Sequence, residues 1–372
     1  MSRVVLDITR SISRLGRGPA TGIDRVEAEL FTEVTAKWPD ALLSVSLGQR
    51  FFLLTPDAAR KLLASAFPSD WWGRRQIEWQ IARHAIARGA LMDAGRLAAN
   101  AGASVWVNVG HTGLERTLLK SLGENGISRC VMVHDVIPLD HPDWSRPTPT
   151  QRFVERMQAV SAQANVVIYP SSASQKAAER WFTTWGRVPE GHVLAHGATR
   201  EFKTPARPIP NHFLAIGTVE PRKGYDLLCE MWESPATQPN HLTIIGQKGW
   251  AETALYDWIN ALERVTWLQN ATDQQLEEAL LSCSALLFPS RAEGAGLPVA
   301  EALQAGVPVI ASDLPVLREL YGDTLTYVAT PSVEAWRTAL NTVSQNRHNP
   351  PVPPRFSWRS HLDLIEREMR RS

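Results

Sequence analysis

Short apolar, β-branched segments alternate with helical patterns along the chain, and this alternation restricts the possible folds more than any other feature. The segments that predict buried strands are Val4–Ile8, Val105–Val109, Cys130–Val133, Val166–Tyr169, Phe213–Ile216, Leu242–Ile245 and Ala285–Phe288. The helical patterns between them are Arg25–Lys37, Ile77–Ala99, Arg152–Ala164, Ala173–Trp181, Tyr225–Trp232, Gln274–Leu281 and Val299–Ala305. Such alternation is typical of doubly wound α/β domains, in which ligands bind at the carboxyl ends of parallel strands.

A polar, proline-rich segment, 201–211, interrupts this alternation near the middle of the 372-residue chain. A second proline-rich stretch, 349–354, precedes a last helical pattern. Both stretches favour boundaries because proline ends helices. We therefore predict a first domain over 1–200, a linker over 201–211, a second domain over 212–354 and a C-terminal helix over 355–372.

The 39 Lys and Arg residues nearly balance the 38 Asp and Glu residues, which argues against a nucleic-acid binder. The balance hides an asymmetry, because residues 1–200 hold 24 basic and 18 acidic residues and residues 201–372 hold 15 and 20. The sequence shows no signal peptide, no apolar run that could cross a bilayer and only three widely spaced cysteines. We therefore expect a cytoplasmic protein, with any membrane contact peripheral and on the inner face of the plasma membrane.

A glycine-flanked loop, Pro289–Leu297, joins a predicted strand to a predicted helix in the second half of the chain. Pro298 suits the first helical position, and the free N–H groups of a helix N-terminus favour an anion such as phosphate. Glu293 lies in the loop, and Glu301 lies about one turn into the helix, where a carboxylate suits ribose hydroxyls. A single glutamate in such a loop is more often only a partner of the helix dipole.

The turn Gly217–Gly224, GTVEPRKG, follows the first predicted strand of the second domain and carries Arg222 and Lys223. A guanidinium fork beside an ammonium point charge suits a pyrophosphate. A solvated turn that is paired with nearby acids is the alternative.

The segment GTVEPRKGYDLL, followed by FPSRAEGAGLPVAEALQAGVPVIASD, resembles the family-4 retaining glycosyltransferases of the GT-B fold. The resemblance implies an α/β fold of two doubly wound, Rossmann-like domains that face a cleft, with the C-terminal helix crossing back to the first domain. It implies that the first domain binds the acceptor and the second binds a nucleotide-diphosphate sugar, which is a co-substrate and not a cofactor.

The resemblance also implies residue roles, in which Glu293 contacts the donor sugar, Glu301 the ribose, and Arg222 and Lys223 the diphosphate. The other implied donor contacts are Gly22, Thr218, Leu268, Asn270, Gly294, Ala295, Gly296 and Leu297, with Leu268 and Asn270 in the stretch that lines the nucleobase. Ala295 stands where the family often has phenylalanine, which implies a wider sugar pocket. Gly224 stands where it often has asparagine, which implies a more mobile turn.

His134 and Asp135 follow a predicted strand in the segment VMVHDVIPLDHP, which resembles the HD-x-x-P segment of the family. The family's histidine lies near the transferred sugar, so His134 joins Glu293, Arg222 and Lys223 as a candidate catalytic residue. A buried structural histidine is the alternative. The candidate acceptor-binding residues are Thr21, His111, Asp135 and Ser171, and Ser171 also fits a helix N-cap.

The segment 70–100 combines aromatic and basic side chains, namely Trp71, Trp72, Trp79, Arg74, Arg75, Arg83, Arg88 and Arg96. This composition suits an anionic membrane surface or a polyprenyl-diphosphate-linked saccharide acceptor. A packed helix pair with a solvated basic face is the alternative.

The sequence contains no Asp-x-Asp motif and no close His/Cys cluster, so we expect neither a metal nor another cofactor. The HDVIPL and TGIDRVE segments resemble transferases of bacterial surface polysaccharides, which makes mannosyl transfer from GDP-mannose to a saccharide or lipid-linked saccharide the first hypothesis. A UDP-hexose or dTDP-rhamnose donor stays open, as does a non-catalytic sugar-nucleotide-binding protein. A nicotinamide oxidoreductase is disfavoured, because Gly16, Gly18 and Gly22 do not fit the Gly-x-Gly-x-x-Gly spacing.

Overall fold

The computed structural model describes residues 2–65, 75–144, 147–197, 202, 209–329, 331–345 and 357–371. The chain divides into two compact units. The first unit consists of Met1–Val136, Thr148–Gly197 and Ser357–Ser372, and the second of Ile137–Pro147 and Ala198–Phe356. Most of the predicted linker, 201–211, lies outside the described residues.

The first unit contains a sheet whose strands, among the described residues, follow the order β4-β3-β2-β1-β5-β6-β7-β8. The strands are β1 Arg3–Asp7, β2 Leu42–Leu47, β3 Arg50–Leu54, β4 Ala87–Ala90, β5 Ala103–Asn108, β6 Ser128–Met132, β7 Val166–Tyr169 and β8 Glu190–Val193. Pairing is parallel from β2 through β1 to β8, while β3 and β4 add to one edge as antiparallel strands. Chain order reverses between β1 and β5, so their carboxyl ends form a topological switch point.

The second unit contains a sheet in the order β11-β10-β9-β12-β13-β14, and every pairing in it is parallel. Its strands are β9 His212–Ile216, β10 His241–Ile245, β11 Val265–Leu268, β12 Ala285–Phe288, β13 Val309–Ser312 and β14 Thr326–Val328. The strand β12 is buried along its whole length, as expected for a strand inside a parallel sheet. The switch point of this sheet lies between β9 and β12.

Helices connect the strands, with one turn of 3-10 helix at Leu91–Asp93, Pro142–Trp144, Pro221–Lys223, Pro235–Thr237 and Gly322–Thr324. The α-helices are α1 Thr9–Arg14, α2 Gly22–Lys37, α3 Pro56–Leu63, α4 Arg75–His84, α5 Ala94–Asn100, α6 Arg116–Glu124, α7 Ile137–Asp140, α8 Pro147–Gln163, α9 Ser172–Thr184, α10 Tyr225–Glu233, α11 Thr253–Ala261, α12 Asp273–Ser282, α13 Leu297–Gln304, α14 Pro315–Tyr321, α15 Val333–Gln345 and α16 Arg359–Arg371.

The structure confirms each strand predicted from the sequence, but the single helix predicted over Ile77–Ala99 is wrong. That segment forms α4, then β4, then a turn of 3-10 helix, then α5. The residues Ala87–Ala90 pair with β3 in an antiparallel ladder, and Gly89 lies so close to Leu97 that a Cβ would stand 2.9 Å from its Cδ1. Pairing with β3 therefore overrides the helical propensity of an alanine- and arginine-rich segment.

The C-terminal helix α16 belongs to the first unit and buries an apolar stripe at helical spacing that includes Leu362 and Ile365. Ser128 at the start of β6 donates a hydrogen bond to Glu368 at 3.0 Å. Trp358, just before the helix, donates from Nε1 to Glu29 at 3.0 Å. Polar anchors at both ends thus supplement the apolar contacts of α16 with the first unit.

Candidate active site

The loops that follow β9 and β12 lie side by side at the switch point of the second unit. Backbone hydrogen bonding links them directly, because the amide of Arg291 donates to the carbonyl of Arg222 at 2.7 Å. The guanidinium of Arg291 also bonds the Pro221 carbonyl at 2.7 Å and Asp226 at 2.5 Å. The turn GTVEPRKG and the loop Pro289–Leu297 therefore form one connected surface.

Four charged side chains meet on this surface: Glu220, Arg222, Lys223 and Glu293. Lys223 Nζ lies 2.5 Å from Glu293 Oε1, and Arg222 Nη1 lies 3.2 Å from the same oxygen. Arg222 Nε bonds Glu220 at 2.7 Å. The side chains of Glu220, Glu293 and Lys223 are only 3, 7 and 11 % exposed, and that of Arg222 is 21 % exposed. We call these residues the charge cluster, and its formal charge is zero.

The cations keep Glu293 ionised in this buried position. Burial alone would raise its pKa, but Lys223, Arg222 and a hydrogen bond from Ser290 together hold the pKa below the usual value. Burial lowers the pKa of Lys223, with Arg222 acting in the same direction and Glu293 opposing it. The structure thus brings Glu293, Arg222 and Lys223 together, and their roles towards a donor stay predictions.

Gly224 ends the basic turn in a left-handed conformation with φ +70°. A Cβ at this position would stand 2.2 Å from the carbonyl oxygen of Pro289. The close approach of the two loops therefore excludes any larger residue at position 224, including the asparagine that is frequent in the family that the sequence resembles. This packing gives Gly224 a role in joining the loops.

The loop that carries Glu293 continues through Gly294, Ala295 and Gly296 into helix α13. Gly296 precedes the helix with φ +69°, and Pro298 occupies the first turn. Tyr321, the last residue of α14, donates from its phenol to the carbonyls of Ala295 at 2.9 Å and Gly296 at 3.2 Å. The loop thus leads into a helix N-terminus, as the sequence predicts.

The remaining predicted donor residues of this unit lie at the same edge of the sheet. Thr218 follows β9, Leu268 ends β11 with its carbonyl accepting from Gly246, and Asn270 is exposed in the next turn. Glu301 lies half-buried in the second turn of α13. Their contacts with a donor stay predictions.

The switch point of the first unit holds a row of buried histidines. His134 Nε2 lies 2.7 Å from the Val109 carbonyl, which can only accept, so this nitrogen carries the proton. Its Nδ1 then accepts from His196 Nε2 at 3.2 Å, while the His134 backbone amide donates to His111 Nε2 at 3.1 Å. Burial lowers the pKa of His134 to about 4. The ring is therefore neutral at pH 7 with both nitrogens engaged, and a role near the sugar stays a prediction.

Thr21 and Gly22 begin helix α2 at the same edge of the first sheet. The Thr21 hydroxyl donates to Asp24 at 2.8 Å and accepts from Arg10 at 3.0 Å, within a capping box that starts the helix. Arg10 also bonds Asp24 at 2.6 Å. The hydroxyl that the sequence predicts for acceptor binding thus already has two partners in the protein.

Ser171 and Asp135 complete the predicted acceptor set. Ser171 is fully buried and accepts from the Ser174 amide at 3.1 Å, which confirms it as the N-cap of α9. Ser174 in turn donates to the His134 carbonyl at 3.1 Å. Asp135 is half-buried beside them. A contact of either residue with an acceptor stays a prediction.

Sequence reasoning missed Glu220, Ser290 and Tyr321, all of which hold the site residues in place. Glu220 lies inside the motif GTVEPRKG, two positions before Arg222, so the sequence could have predicted an ion pair between these two residues. Tyr321 lies far along the chain from the loop that it contacts, and the sequence offers no periodicity that would pair them.

In the described part of the chain, no group of three or more His, Cys, Asp or Glu side chains is placed to hold a metal ion. No helix in the same ranges is long and apolar enough to span a bilayer. Metal independence itself stays a prediction. Trp71, Trp72 and Arg74 of the aromatic and basic segment lie outside the described residues.

Residues 199–356 match the model of the family described as glycosyl transferases group 1. The chain carries a glycosyl transferases group 1 domain. This domain contains the charge cluster and the loop with Glu293, so the family match and the local geometry identify the same half of the chain.

Similar curated proteins include the serotype-specific mannosyltransferase WbdA of Escherichia coli, which is 28 % identical over 276 residues. That match covers 65 % of this chain and 33 % of WbdA, so the chain spans about a third of the length of this relative. The O-antigen chain mannosyltransferase RfbU of Salmonella typhimurium is 24 % identical over 221 residues, which cover 59 % of this chain and 61 % of RfbU.

Solved structures with the same fold include sucrose-phosphate synthase from Thermosynechococcus elongatus, with a TM-score of 0.67 at 14 % identity over 100 % of this chain and 99 % of that one. Anabaena HepE in complex with UDP-glucose has a TM-score of 0.66 at 15 % identity, and the match covers both chains completely. These likenesses confirm the predicted GT-B fold.

Proposed function

We propose that this chain is a retaining glycosyltransferase that moves a hexose from a nucleotide-diphosphate sugar to a saccharide or lipid-linked saccharide in bacterial surface polysaccharide assembly. The observation that carries the proposal is the charge cluster, which sets two cations and an ionised glutamate beside the N-terminus of α13 at a sheet switch point. This arrangement suits a diphosphate on one side and sugar hydroxyls on the other.

Arg222, Lys223 and the amides at the start of α13 would stabilise the negative charge that develops on the departing diphosphate. Arg222 and Lys223 are held by Glu220 and Glu293, so little reorganisation is needed when the donor binds. Glu293 remains ionised and would accept hydrogen bonds from the sugar, without attacking it. The acceptor hydroxyl would lose its proton to the departing diphosphate on the same face, which gives retention and needs no metal.

We propose GDP-mannose as the donor. The support is the similarity to WbdA and RfbU, whose names describe them as mannosyltransferases. UDP-hexoses and dTDP-rhamnose are the competing donors, and a non-catalytic sugar-nucleotide-binding protein is the competing class.

A panel of nucleotide sugars tests this proposal without knowledge of the acceptor. We expect the wild-type protein to bind GDP-mannose more tightly than UDP-glucose or dTDP-rhamnose and to hydrolyse it slowly to GDP. Preference for another nucleotide sugar would overturn the donor but keep the transferase. Tight binding with no hydrolysis and no transfer to any acceptor extract would favour the non-catalytic class.

We further propose that the first unit contacts an anionic membrane, where a polyprenyl-diphosphate-linked acceptor would be found. The support comes from α4, β4 and the following turn, where Trp79, Ile86 and Met92 are 62, 53 and 72 % exposed. The Arg83 guanidinium lies 5.1 Å from the centre of the Trp79 ring, and Arg88 lies in the neighbouring strand. Exposed aromatic and aliphatic side chains beside arginines suit an anionic bilayer surface.

Flotation with vesicles tests the membrane contact. We expect binding to vesicles that contain phosphatidylglycerol, weaker binding to pure phosphatidylcholine, and loss of binding when Trp79 and Met92 are both replaced by serine. Trp250, which is 38 % exposed in the second unit, provides the control substitution Trp250→Ser. Equal binding of the double variant and the wild type would contradict the contact.

A further inference from the structure

Two carbonyl groups at the junction of the loop and α13, those of Ala295 and Gly296, accept from one side chain. Tyr321 is 5 % exposed, and its phenol donates to the carbonyls of Ala295 and Gly296 at 2.9 and 3.2 Å. The Gly296 carbonyl also accepts from the Val299 amide in the first turn of α13 at 2.9 Å. The phenol therefore contacts the backbone at the point where the loop joins the helix.

The direction of these two carbonyls decides the direction of two amides. In a trans peptide the C=O and the N–H of the same unit point to opposite sides. When the Ala295 and Gly296 carbonyls turn towards Tyr321, the amides of Gly296 and Leu297 must turn away from it. These are among the amides at the N-terminus of α13, where an anion binds most favourably.

Helix α14 supports the loop at a second point as well. A Cβ on Gly296 would stand 2.9 Å from Cδ2 of Leu317, which lies one helical turn before Tyr321. Leu317 and Tyr321 are four positions apart, so they lie on the same face of α14. Leu317 thus packs against Gly296, while the phenol of Tyr321 orients the Ala295 and Gly296 carbonyls.

We infer that Tyr321 is a positioning residue for the donor, whose phenol orients the Gly296 and Leu297 amides towards the diphosphate sugar. The inference deepens the proposed function and rests on it. Tyr321 itself touches no substrate atom in this account and acts through the backbone of the loop. The ligand class is any nucleoside diphosphate sugar, because the backbone amides donate hydrogen bonds to the phosphates and do not contact the base.

The phenol remains a donor throughout the working pH range. Burial raises the pKa of Tyr321 well above its usual value, and the nearby charge of Glu293 acts in the same direction. The hydroxyl therefore keeps its proton under conditions in which sugar nucleotides are stable.

The test is Tyr321→Phe, which keeps the ring and removes the hydroxyl. We expect the dissociation constants of GDP and GDP-mannose to rise about tenfold, as loss of one buried hydrogen-bond donor predicts, and that of GMP to change less than about twofold. The contrast arises because GMP lacks the second phosphate that lies nearest the sugar. A purely structural role would lower the melting temperature and would not separate GDP from GMP.

Tyr327→Phe is the matched control, because its phenol also bonds two carbonyls, those of Leu317 at 3.0 Å and Gly322 at 2.8 Å, outside the loop. We expect its GDP affinity to stay within about twofold of the wild type. Wild-type GDP affinity in a folded Tyr321→Phe variant would overturn the inference. A wild-type protein that binds no nucleotide sugar would instead overturn the proposed function.

Discussion

The charge cluster predicts that two isosteric substitutions change diphosphate affinity in opposite directions. Glu220, Arg222, Lys223 and Glu293 together carry no net charge. Glu293→Gln leaves a net charge of +1, and Lys223→Met leaves −1. If the cluster binds the diphosphate, the first variant should hold GDP at least as tightly as the wild type, and the second should hold it more weakly.

The magnitude follows from Coulomb's law for a phosphate bound against the cluster. A unit charge about 5 Å from such a phosphate contributes about 3 kcal/mol at an effective dielectric constant of about 20. Solvent at the mouth of the site reduces this value, so we expect GDP affinity to rise by up to about tenfold in Glu293→Gln and to fall by about tenfold or more in Lys223→Met. Transfer should fall in both variants, since the first loses the sugar contact and the second loses a diphosphate contact.

Both variants should also lose stability, because removing one partner of a buried ion pair leaves the other uncompensated. The Lys223 and Glu293 side chains are 11 and 7 % exposed, and the expected loss of unfolding free energy is about 3–5 kcal/mol. A thermal melt of each variant is therefore measured first, and GDP affinity is then measured at a temperature at which both variants are folded.

Isothermal titration with GDP at low ionic strength measures the effect. Glu334→Gln is the matched control, because Glu334 pairs with Arg337 at 2.8 Å on the surface and its side chain is 76 % exposed. An exposed pair contributes about 0–1 kcal/mol, so GDP affinity and stability should both stay unchanged. If folded Glu293→Gln and Lys223→Met weaken GDP binding by the same factor, the electrostatic reasoning is refuted.

Three further predictions concern single residues. Glu27 is fully buried, and burial raises its pKa to about 7. The stability that its protonated form contributes is present below about pH 4.5 and is lost as the pH rises through 7. In thermal melts, Glu27→Gln should therefore be more stable than the wild type by up to about 3 kcal/mol at pH 8.5 and little changed at pH 4.5. Gly224→Ala should destabilise far more than Gly126→Ala in denaturant unfolding, because both glycines have positive φ but nothing lies within 4 Å of a Cβ on Gly126. Glu301→Ala should weaken GDP and GMP binding alike, since both carry the ribose, and an unchanged affinity for both would remove Glu301 from the site.

The architecture of both units follows from local sequence patterns, because buried parallel strands need continuous apolar segments such as Ala285–Phe288. Strands that form only because they pair with a neighbouring strand could not be predicted in this way. The segment Ala87–Ala90 becomes a strand only through pairing with β3, and β13 and β14 are short segments within loop-rich sequence.

The core of the candidate site could also be predicted, because Arg222, Lys223 and Glu293 lie in compact motifs at strand ends. The supporting residues could not. Tyr321 reaches the loop through the fold and not through sequence spacing, and the His134 ring contacts His196, which lies 62 positions away. Contacts between distant segments carry this information, and a single sequence does not display them.

We propose that this chain transfers a hexose from a nucleotide-diphosphate sugar with retention of configuration, using the charge cluster. Proton NMR of the sugar released or transferred from GDP-mannose tests this proposal, because the anomeric signal is read before the free sugar equilibrates. We expect an α-configured product and stoichiometric GDP from the wild type, and neither product above background from Lys223→Met. A β-configured first product, or equal turnover by folded Lys223→Met, would contradict it.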